Sequence, residues 1–211
     1  MLRPASQNTG RGSIIEDGRR TGERRSVFTI GHSNHPADRF LDLLGSHGVE
    51  VLADTRSHPY SRYAPHFNAR GIEALLSAGG IAYLFLGREL GGRPEADEFY
   101  DREGRVDYAR LERSERFLGG IHRLEREMAC RRVALLCSEE NPAGCHRRLL
   151  VGSVLRRRGV SVLHIRGDGG VEVEDETVNG QPVLFSEAEV SPRKSTRSVS
   201  RRRRPPSSSG R

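Results

Sequence analysis

The chain has 211 residues, enough for one ordinary domain with tails, and 35% of them are hydrophobic. No stretch reaches the ~20 apolar residues of a membrane span, and the early arginines are not followed by the apolar core of a signal peptide. These features predict a cytoplasmic protein without a membrane partner. The three cysteines are an odd number, which in a reducing compartment argues against a disulfide framework.

The two ends of the chain differ in composition from its middle. Residues 1–25 lack a periodic apolar pattern, and residues 191–211 contain a single valine as their only large apolar side chain. Both segments are predicted to be disordered because they cannot bury enough surface to offset the entropy of ordering, and residues 26–190 are predicted to form a single α/β domain. Residues 192–211 carry eight positive charges and no acid, so the net charge of +7 leaves −1 for the other 191 residues. The isoelectric point near 10.0 is therefore a property of the tail.

Five apolar runs of strand type alternate with stretches of helical periodicity. The predicted strands are Ser26–Gly31, Val49–Asp54, Ile81–Leu86, Val133–Cys137 and Ser161–Ile165. Helices are predicted after Pro36, after Asn68 as N-cap, across residues 107–130 and over residues 145–158, and residues 87–106 are predicted to be a long connection. Val171–Val173 and Val183–Phe185 are predicted to pair as a small terminal hairpin.

This alternation indicates a three-layer α/β/α fold with a mainly parallel five-stranded sheet covered on both faces. Right-handed crossovers restrict the topology, and the strand order 3-2-1-4-5 is favoured, with strands one and four side by side. Ligands of such sheets bind outside the C-terminal ends of the strands, where the chain reverses direction across the sheet. No G-x-G-x-x-G fingerprint is present, so a Rossmann dinucleotide cofactor is not expected and the cofactor stays unknown.

Three predicted loops at this edge of the sheet carry polar and reactive side chains. Because the C-terminal ends of parallel strands meet at one edge, we expect the three loops to form a single site. The candidate residues are Gly31, His32 and Ser33 after the first strand, Asp54, Arg56 and Arg62 after the second, and Cys137, Glu139, Cys145, His146 and Arg147 after the fourth.

The same three stretches resemble a known family. The runs TIGHS (Thr29–Ser33), DTRSHPYSRYAPHF (Asp54–Phe67) and CSEENPAGCHR (Cys137–Arg147) are similar to those of the domain-of-unknown-function 488 family, and the resemblance covers about residues 26–167. Thr55 replaces the usual Val of the second motif and Ser138 the usual Ala of the third, and both are small side chains. The resemblance implies an α/β fold and a shared site, and it does not supply a reaction.

The cysteines allow two kinds of chemistry. Cys137 stands where a buried strand opens into a loop, and it is either a thiolate nucleophile or metal ligand, or a small apolar plug. Cys145 is predicted at a helix N-terminus, where a thiol pKa falls and anions bind. Together with His32 and His146 the two thiols offer donors for zinc, but their spacing matches no compact zinc motif, and no metal is assigned. Cys137 also does not begin a C-x5-R loop like that of phosphotyrosine phosphatases, because the sixth residue after it is Ala143 and not an arginine.

The charged candidates each have a functional and a structural interpretation. Arg147 can hold a phosphate or carboxylate, or lie on a solvated helix face. Asp54 is a general base or ligand-orienting carboxylate, or the partner of an arginine in a structural ion pair. Glu139 is an acid or base beside Cys137, or a cap of the following helix.

The turn and loop residues are interpreted in the same way. His32 and Ser33, in a turn that begins with Gly31, can donate to a phosphate, although glycine turns after strands are common. Arg62, in a proline-bounded loop, can close over a ligand or lie on the surface.

The leading hypothesis is an enzyme that acts on a small phosphate-bearing, nucleotide-like ligand. The anion would be held by Arg56, Arg62 and Arg147, and covalent or acid–base work would fall to Cys137, Cys145 or His146, assisted by Asp54 or Glu139. One alternative is a non-catalytic module that senses a nucleotide in the same crevice. Another is a nucleic-acid-associated protein whose arginine-rich tail makes phosphate contacts. The sequence defines neither the substrate nor the oligomeric state.

Overall fold

A computed structural model describes residues 25–174 of the chain as an α/β fold built on one six-stranded, mainly parallel sheet. The strands are β1 (Ser26–Gly31), β2 (Val51–Asp54), β3 (Ala82–Phe85), β4 (Val133–Cys137), β5 (Ser161–Ile165) and β6 (Val171–Val173). The helices are α1 (Ala37–Ser46), α2 (Ala69–Ala78), α3 (Gly87–Leu90), α4 (Tyr108–Leu111), α5 (Glu115–Cys130) and α6 (Ser153–Arg157). The predicted fold class is therefore confirmed.

The helices cover both faces of the sheet. On one face α1 and α2 bury Phe40, Leu44, Ile72 and Leu76 against a layer that includes Leu136 of β4. On the other face α5 and α6 bury side chains against the alternate residues of the same strands. All five residues of β4 are buried, because both faces of a central parallel strand are covered.

The strand order is β3-β2-β4-β1-β5-β6, which corrects the predicted order 3-2-1-4-5. The adjacency of β1 and β4 was predicted, but β4 also pairs with β2 and separates it from β1. The entirely apolar β4 gains the most from a central position, where a strand is covered on both faces and both edges. As a result, the loops that follow β1 and β2 flank the loop that follows β4 on its two sides.

Two helical segments differ from the sequence prediction. The helix expected across residues 107–130 is divided into α4 and α5, and Ser114 caps α5 by accepting a hydrogen bond from the amide of Phe117 at 3.3 Å. The helix expected over residues 145–158 begins with a π-helical segment, Arg147–Gly152, before it continues as α6.

The last described strand has a different partner from the one expected. β6 runs antiparallel to β5 at the edge of the sheet. The predicted partner Val183–Phe185 and the predicted disordered tails, apart from Arg25, lie outside the described residues. Within residues 25–174, every helix is too short or too polar to cross a membrane.

Candidate functional site

The end of β4 is joined by hydrogen bonds to the loops on both sides. The amide of His32 donates to the carbonyl of Cys137 at 2.9 Å, and the amide of Ser33 donates to the carbonyl of Ser138 at 3.0 Å. On the other side, the hydroxyl of Thr55 donates to the carbonyl of Leu136 at 2.8 Å. The three loops predicted to share one edge of the sheet therefore meet around β4.

The turn after β1 approaches the loop after β4 very closely. A Cβ atom on Gly31 would overlap the carbonyl oxygen of Glu139 and lie 2.8 Å from a terminal nitrogen of Arg147. Ser33 has a positive φ of 45°, a strained conformation for a residue with a side chain. Backbone packing thus requires glycine at position 31, and the surrounding contacts hold Ser33 in its turn.

Two thiols and an imidazole form a compact group at the centre of this edge. The Cys137 Sγ lies 3.6 Å from His146 Nδ1, and the Cys145 Sγ lies 3.9 Å from the same nitrogen. The three donor atoms lie within 4.8 Å of one another, and both cysteines are buried. We call Cys137, Cys145 and His146 the thiol site.

The orientation of His146 is set by a backbone contact from the loop after β2. Its Nε2 lies 3.0 Å from the carbonyl oxygen of Thr55, which can only accept, so Nε2 carries a hydrogen. The other ring nitrogen, Nδ1, faces the two sulfurs. The ring is also packed against Gly92, where a Cβ atom would lie 2.7 Å from the ring carbon Cγ.

The pKa values of the two thiols shift in opposite directions because the thiols interact with each other. A hydrogen bond from Cys145 lowers the pKa of Cys137, and burial opposes this effect while His146 and the amide of Glu139 add to it. The hydrogen bond to Cys137 raises the pKa of Cys145, and burial raises it further. The contact between the two thiols therefore favours the thiolate at Cys137 over the thiolate at Cys145.

Asp54 lies in a buried polar network beside the thiol site. Its carboxylate accepts two hydrogen bonds from the Arg56 guanidinium, at 2.9 and 2.6 Å, and one from the Tyr83 hydroxyl at 2.9 Å. The predicted alternative of a structural ion pair matches this geometry, since the carboxylate is fully buried and its partners occupy both oxygens. Arg56 keeps one buried nitrogen, Nη1, with no hydrogen-bond partner among residues 25–174.

Arg147 is completely buried and supports the loop between the two cysteines. Its terminal nitrogens donate to the carbonyl oxygens of Glu139 and, at 2.7 Å, of Glu140. Both terminal nitrogens are thus directed at backbone, whereas the buried Nε has no hydrogen-bond partner among residues 25–174. The predicted alternative of a solvated helix face is therefore wrong, because the side chain is fully buried, and the anion-binding role of Arg147 stays a prediction.

His32 is buried in a neutral state. Its Nδ1 lies 2.9 Å from the carbonyl oxygen of Ser33, and its ring stacks on Phe67 at a centroid distance of 4.6 Å. Burial, and then the positive charge of Arg56, lower the pKa of His32 to about 4. Because Nδ1 carries the hydrogen, the buried Nε2 is an acceptor, which does not suit the predicted donation to a phosphate.

The side chains of two further predicted residues, Glu139 and Arg62, are exposed. The side chain of Glu139 is exposed, and it is the amide of Glu139 that contacts the Cys137 sulfur. Arg62 is exposed and stacks on its neighbour Tyr63, with 5.0 Å from guanidinium carbon to ring centroid. The structure thus gives Arg62 a partner within its own loop.

The segment that follows β3 also contributes to the site, which was not predicted from the sequence. Gly92 covers the His146 ring, and the amide of Arg93 donates to the Ser57 hydroxyl at 2.9 Å. Burial and the nearby Cys145 and Cys137 raise the pKa of Tyr108, whereas Arg93 lowers it. The glycine pair Gly91–Gly92 directly before Arg93 is the signal in the sequence that marks a close backbone approach.

The thiol site also has the donors that a thiophilic metal ion requires. Two sulfurs and one imidazole nitrogen give three of the four ligands of tetrahedral zinc, and a metal-binding histidine usually donates its other nitrogen to a carbonyl, as His146 does. His32 is not part of this compact donor group. The geometry therefore accommodates either a metal or a thiolate.

Comparison with known proteins adds a family and nothing more specific. The family model described as "Domain of unknown function DUF488" matches residues 36–154. That range contains the second and third motifs and the whole thiol site, while the first motif precedes it. No curated protein and no solved structure matches the chain.

Proposed function

The chain belongs to the DUF488 family, and because that description names no activity, we propose a function from the thiol site: an enzyme in which Cys137 reacts as a thiolate with a small anionic ligand. The observation that carries the proposal is the 3.6 Å contact between Cys137 Sγ and the Nδ1 of His146, whose ring is fixed by Thr55. A nucleophile within reach of an oriented base is the usual arrangement for covalent catalysis.

The second thiol supplies the proton that such a reaction needs. The electron pair of the Cys137 sulfur forms a bond to the electrophilic atom, and the bond to the leaving group breaks with its electron pair. Once Cys137 is neutral, the interaction that raises the pKa of Cys145 is lost, so Cys145 can release its proton to the leaving group. Water then cleaves the intermediate, Cys137 leaves as the thiolate, and the proton of the water returns to Cys145 by way of the imidazole of His146, whose Nδ1 lies beside both sulfurs.

The anionic character of the ligand is supported by the positive charges around the thiol site. Arg56 leaves one buried nitrogen unpartnered, and Arg93 lies close enough to influence Tyr108 together with the two thiols. A ligand with a phosphate group complements such donors, since guanidinium groups bind phosphate through paired hydrogen bonds.

The test is a pH titration of thiolate absorbance in the full chain, compared with the Cys137→Ser variant. We expect Cys137 to ionise well below the ordinary thiol pKa of about 8.5. Exposed Cys130, which lies outside the thiol site, provides the matched control through Cys130→Ser. If the Cys137 signal appears only near the ordinary value, or if metal analysis finds a firmly bound ion on the purified protein, the thiolate enzyme is rejected.

A further inference from the structure

A cleft of about 450 Å³ lies next to the thiol site, between the loops after β2 and β3 and the start of α5. This volume is typical of pockets for small molecules. We call it the arginine cleft, and its polar lining residues are Ser57, His58, Arg88, Glu89, Arg93, Glu95 and Arg116.

The arginine cleft is connected to the thiol site by a short stretch of backbone. Arg93 is held by the hydrogen bond from its amide to Ser57, and the preceding Gly92 packs against the ring of His146. Tyr108 experiences the charge of both Arg93 and the two cysteines. The backbone of Gly92 and Arg93 therefore joins one wall of the cleft to the His146 side of the thiol site.

The cleft carries an excess of positive charge. Arg88, Arg93 and Arg116 are exposed, and none of them forms an ion pair with a carboxylate of residues 25–174. Of the two lining acids, Glu89 is already paired with Arg123, which leaves Glu95 to oppose three arginines.

In a second cleft of the protein, most of the lining arginines are paired with carboxylates. This cleft has a volume of about 410 Å³ and contains Arg123, Arg126 and Arg131. Arg123 pairs with Glu89, and Arg131 pairs with Glu127, so Arg126 alone lacks a carboxylate partner within the described residues. The contrast distinguishes the arginine cleft as the place where an anion would gain most.

We infer that the arginine cleft binds the phosphate group of the substrate, through Arg88, Arg93 and Arg116, while the electrophilic atom of the same molecule faces Cys137. That the bound molecule is a substrate rests on the proposed function. The binding of a phosphate group in the cleft does not. The arginines of the cleft also replace Arg62 and Arg147 as the predicted anion-binding residues, since one faces its own loop and the other is buried against backbone.

The experiment is calorimetric titration of the full chain with pyrophosphate at low ionic strength. The variants are Arg88→Gln, Arg93→Gln, Arg116→Gln and the triple substitution, with Arg126→Gln as the matched control from the other cleft. Each of these side chains is exposed, so the fold does not depend on them. The positive charges of residues 192–211 are present in every variant, and their contribution cancels in the comparison.

We expect each single substitution to weaken pyrophosphate binding roughly tenfold, as loss of a charge-assisted hydrogen bond does, and the triple variant to bind no better than the background of the tail. Arg126→Gln should bind like the wild type. Equal affinity in the wild type and the triple variant, or no binding by the wild type, overturns the inference.

The two experiments distinguish a failure of the proposed function from a failure of the arginine cleft as the phosphate site. If Cys137 ionises like an ordinary thiol while pyrophosphate binding still depends on the three arginines, the cleft is a binding site and the thiolate enzyme is rejected. If Cys137 is activated but pyrophosphate binding ignores the arginines, the enzyme survives and the cleft does not hold its substrate.

Discussion

The imidazole of His146 is held by the carbonyl oxygen of Thr55, 3.0 Å from Nε2, although the two residues are 91 positions apart in the sequence. This contact leaves Nδ1 directed at Cys137 and Cys145. It is possible because β2 lies directly beside β4, so the loops at their C-terminal ends are in contact. The strand order of the sheet is therefore what assembles the thiol site.

Replacing His146 should impair the ionisation of Cys137. In His146→Gln, the sulfur loses the nearby imidazole, and we expect the pKa of Cys137 to rise and its alkylation rate at pH 7 to fall about tenfold or more. The measurement is the rate of iodoacetamide labelling at each cysteine, followed by peptide mass spectrometry. His122→Gln is the matched control because His122 is an exposed histidine on α5. An unchanged rate in His146→Gln would show that the imidazole does not activate the thiol.

Acidification should destabilise the protein through His32. The pKa of His32 falls from about 6.5 in the unfolded chain to about 4 in the folded one, so between these values the unfolded chain binds more protons. The stability contributed by neutral His32 is complete above pH 6.5 and is lost as the pH falls toward 4. At pH 4.5 the loss should be about 2–3 kcal/mol.

Urea unfolding at pH 7 and pH 4.5 measures this effect. Since other groups titrate in the same range, the informative quantity is the difference between the wild type and His32→Gln. The free energy of unfolding of the variant should depend less on pH, by about the same 2–3 kcal/mol. A pH dependence that is the same in both proteins would contradict a buried neutral His32.

The turn at Gly31 should not tolerate a larger residue. In Gly31→Ala, the added methyl group would overlap the carbonyl of Glu139, so the β1 turn and the loop after β4 must move apart. We expect a loss of roughly 2–3 kcal/mol in the free energy of unfolding, measured by thermal or urea denaturation.

Gly119→Ala is the control for that substitution. Gly119 lies on the exposed side of α5, and a Cβ atom there would have no neighbour within 4 Å. Alanine is the better helix former, so this variant should gain up to about 1 kcal/mol. Similar stability of the two alanine variants would mean that the close approach at Gly31 is readily relaxed.

The sequence predicted the bounds of individual strands better than the order of the strands in the sheet. The bounds of β1, β4 and β5 were predicted as observed, because each is a short run rich in β-branched and other apolar residues with clear ends. The position of β4 between β1 and β2 could not be predicted, because the pairing of parallel strands depends on tertiary packing and not on the pattern of any one strand.

In the candidate site, too, the contacts that depend on tertiary packing could not be predicted from the sequence. The grouping of Cys137, Cys145 and His146 followed from their positions at strand and helix ends, and they do meet. The burial of Arg147 was not predicted, because a buried guanidinium needs hydrogen-bond partners, and the carbonyl oxygens of Glu139 and Glu140 that accept from it are brought into place only by the fold of the loop. Gly92 was missed because its role depends on contact with a ring 54 residues away.

The role of Asp54 can be decided by comparing stability with reactivity. In Asp54→Asn, the buried guanidinium of Arg56 loses its counter-charge, so we expect the free energy of unfolding to fall by about 3–5 kcal/mol. Tyr83→Phe removes only one hydrogen bond to the same carboxylate and should cost about 1 kcal/mol. Asp42→Asn, at an exposed position of α1, is the control and should leave stability unchanged. If Asp54→Asn unfolds like the wild type but abolishes the reactivity of Cys137, Asp54 acts as the general base and the structural ion pair is not its main role.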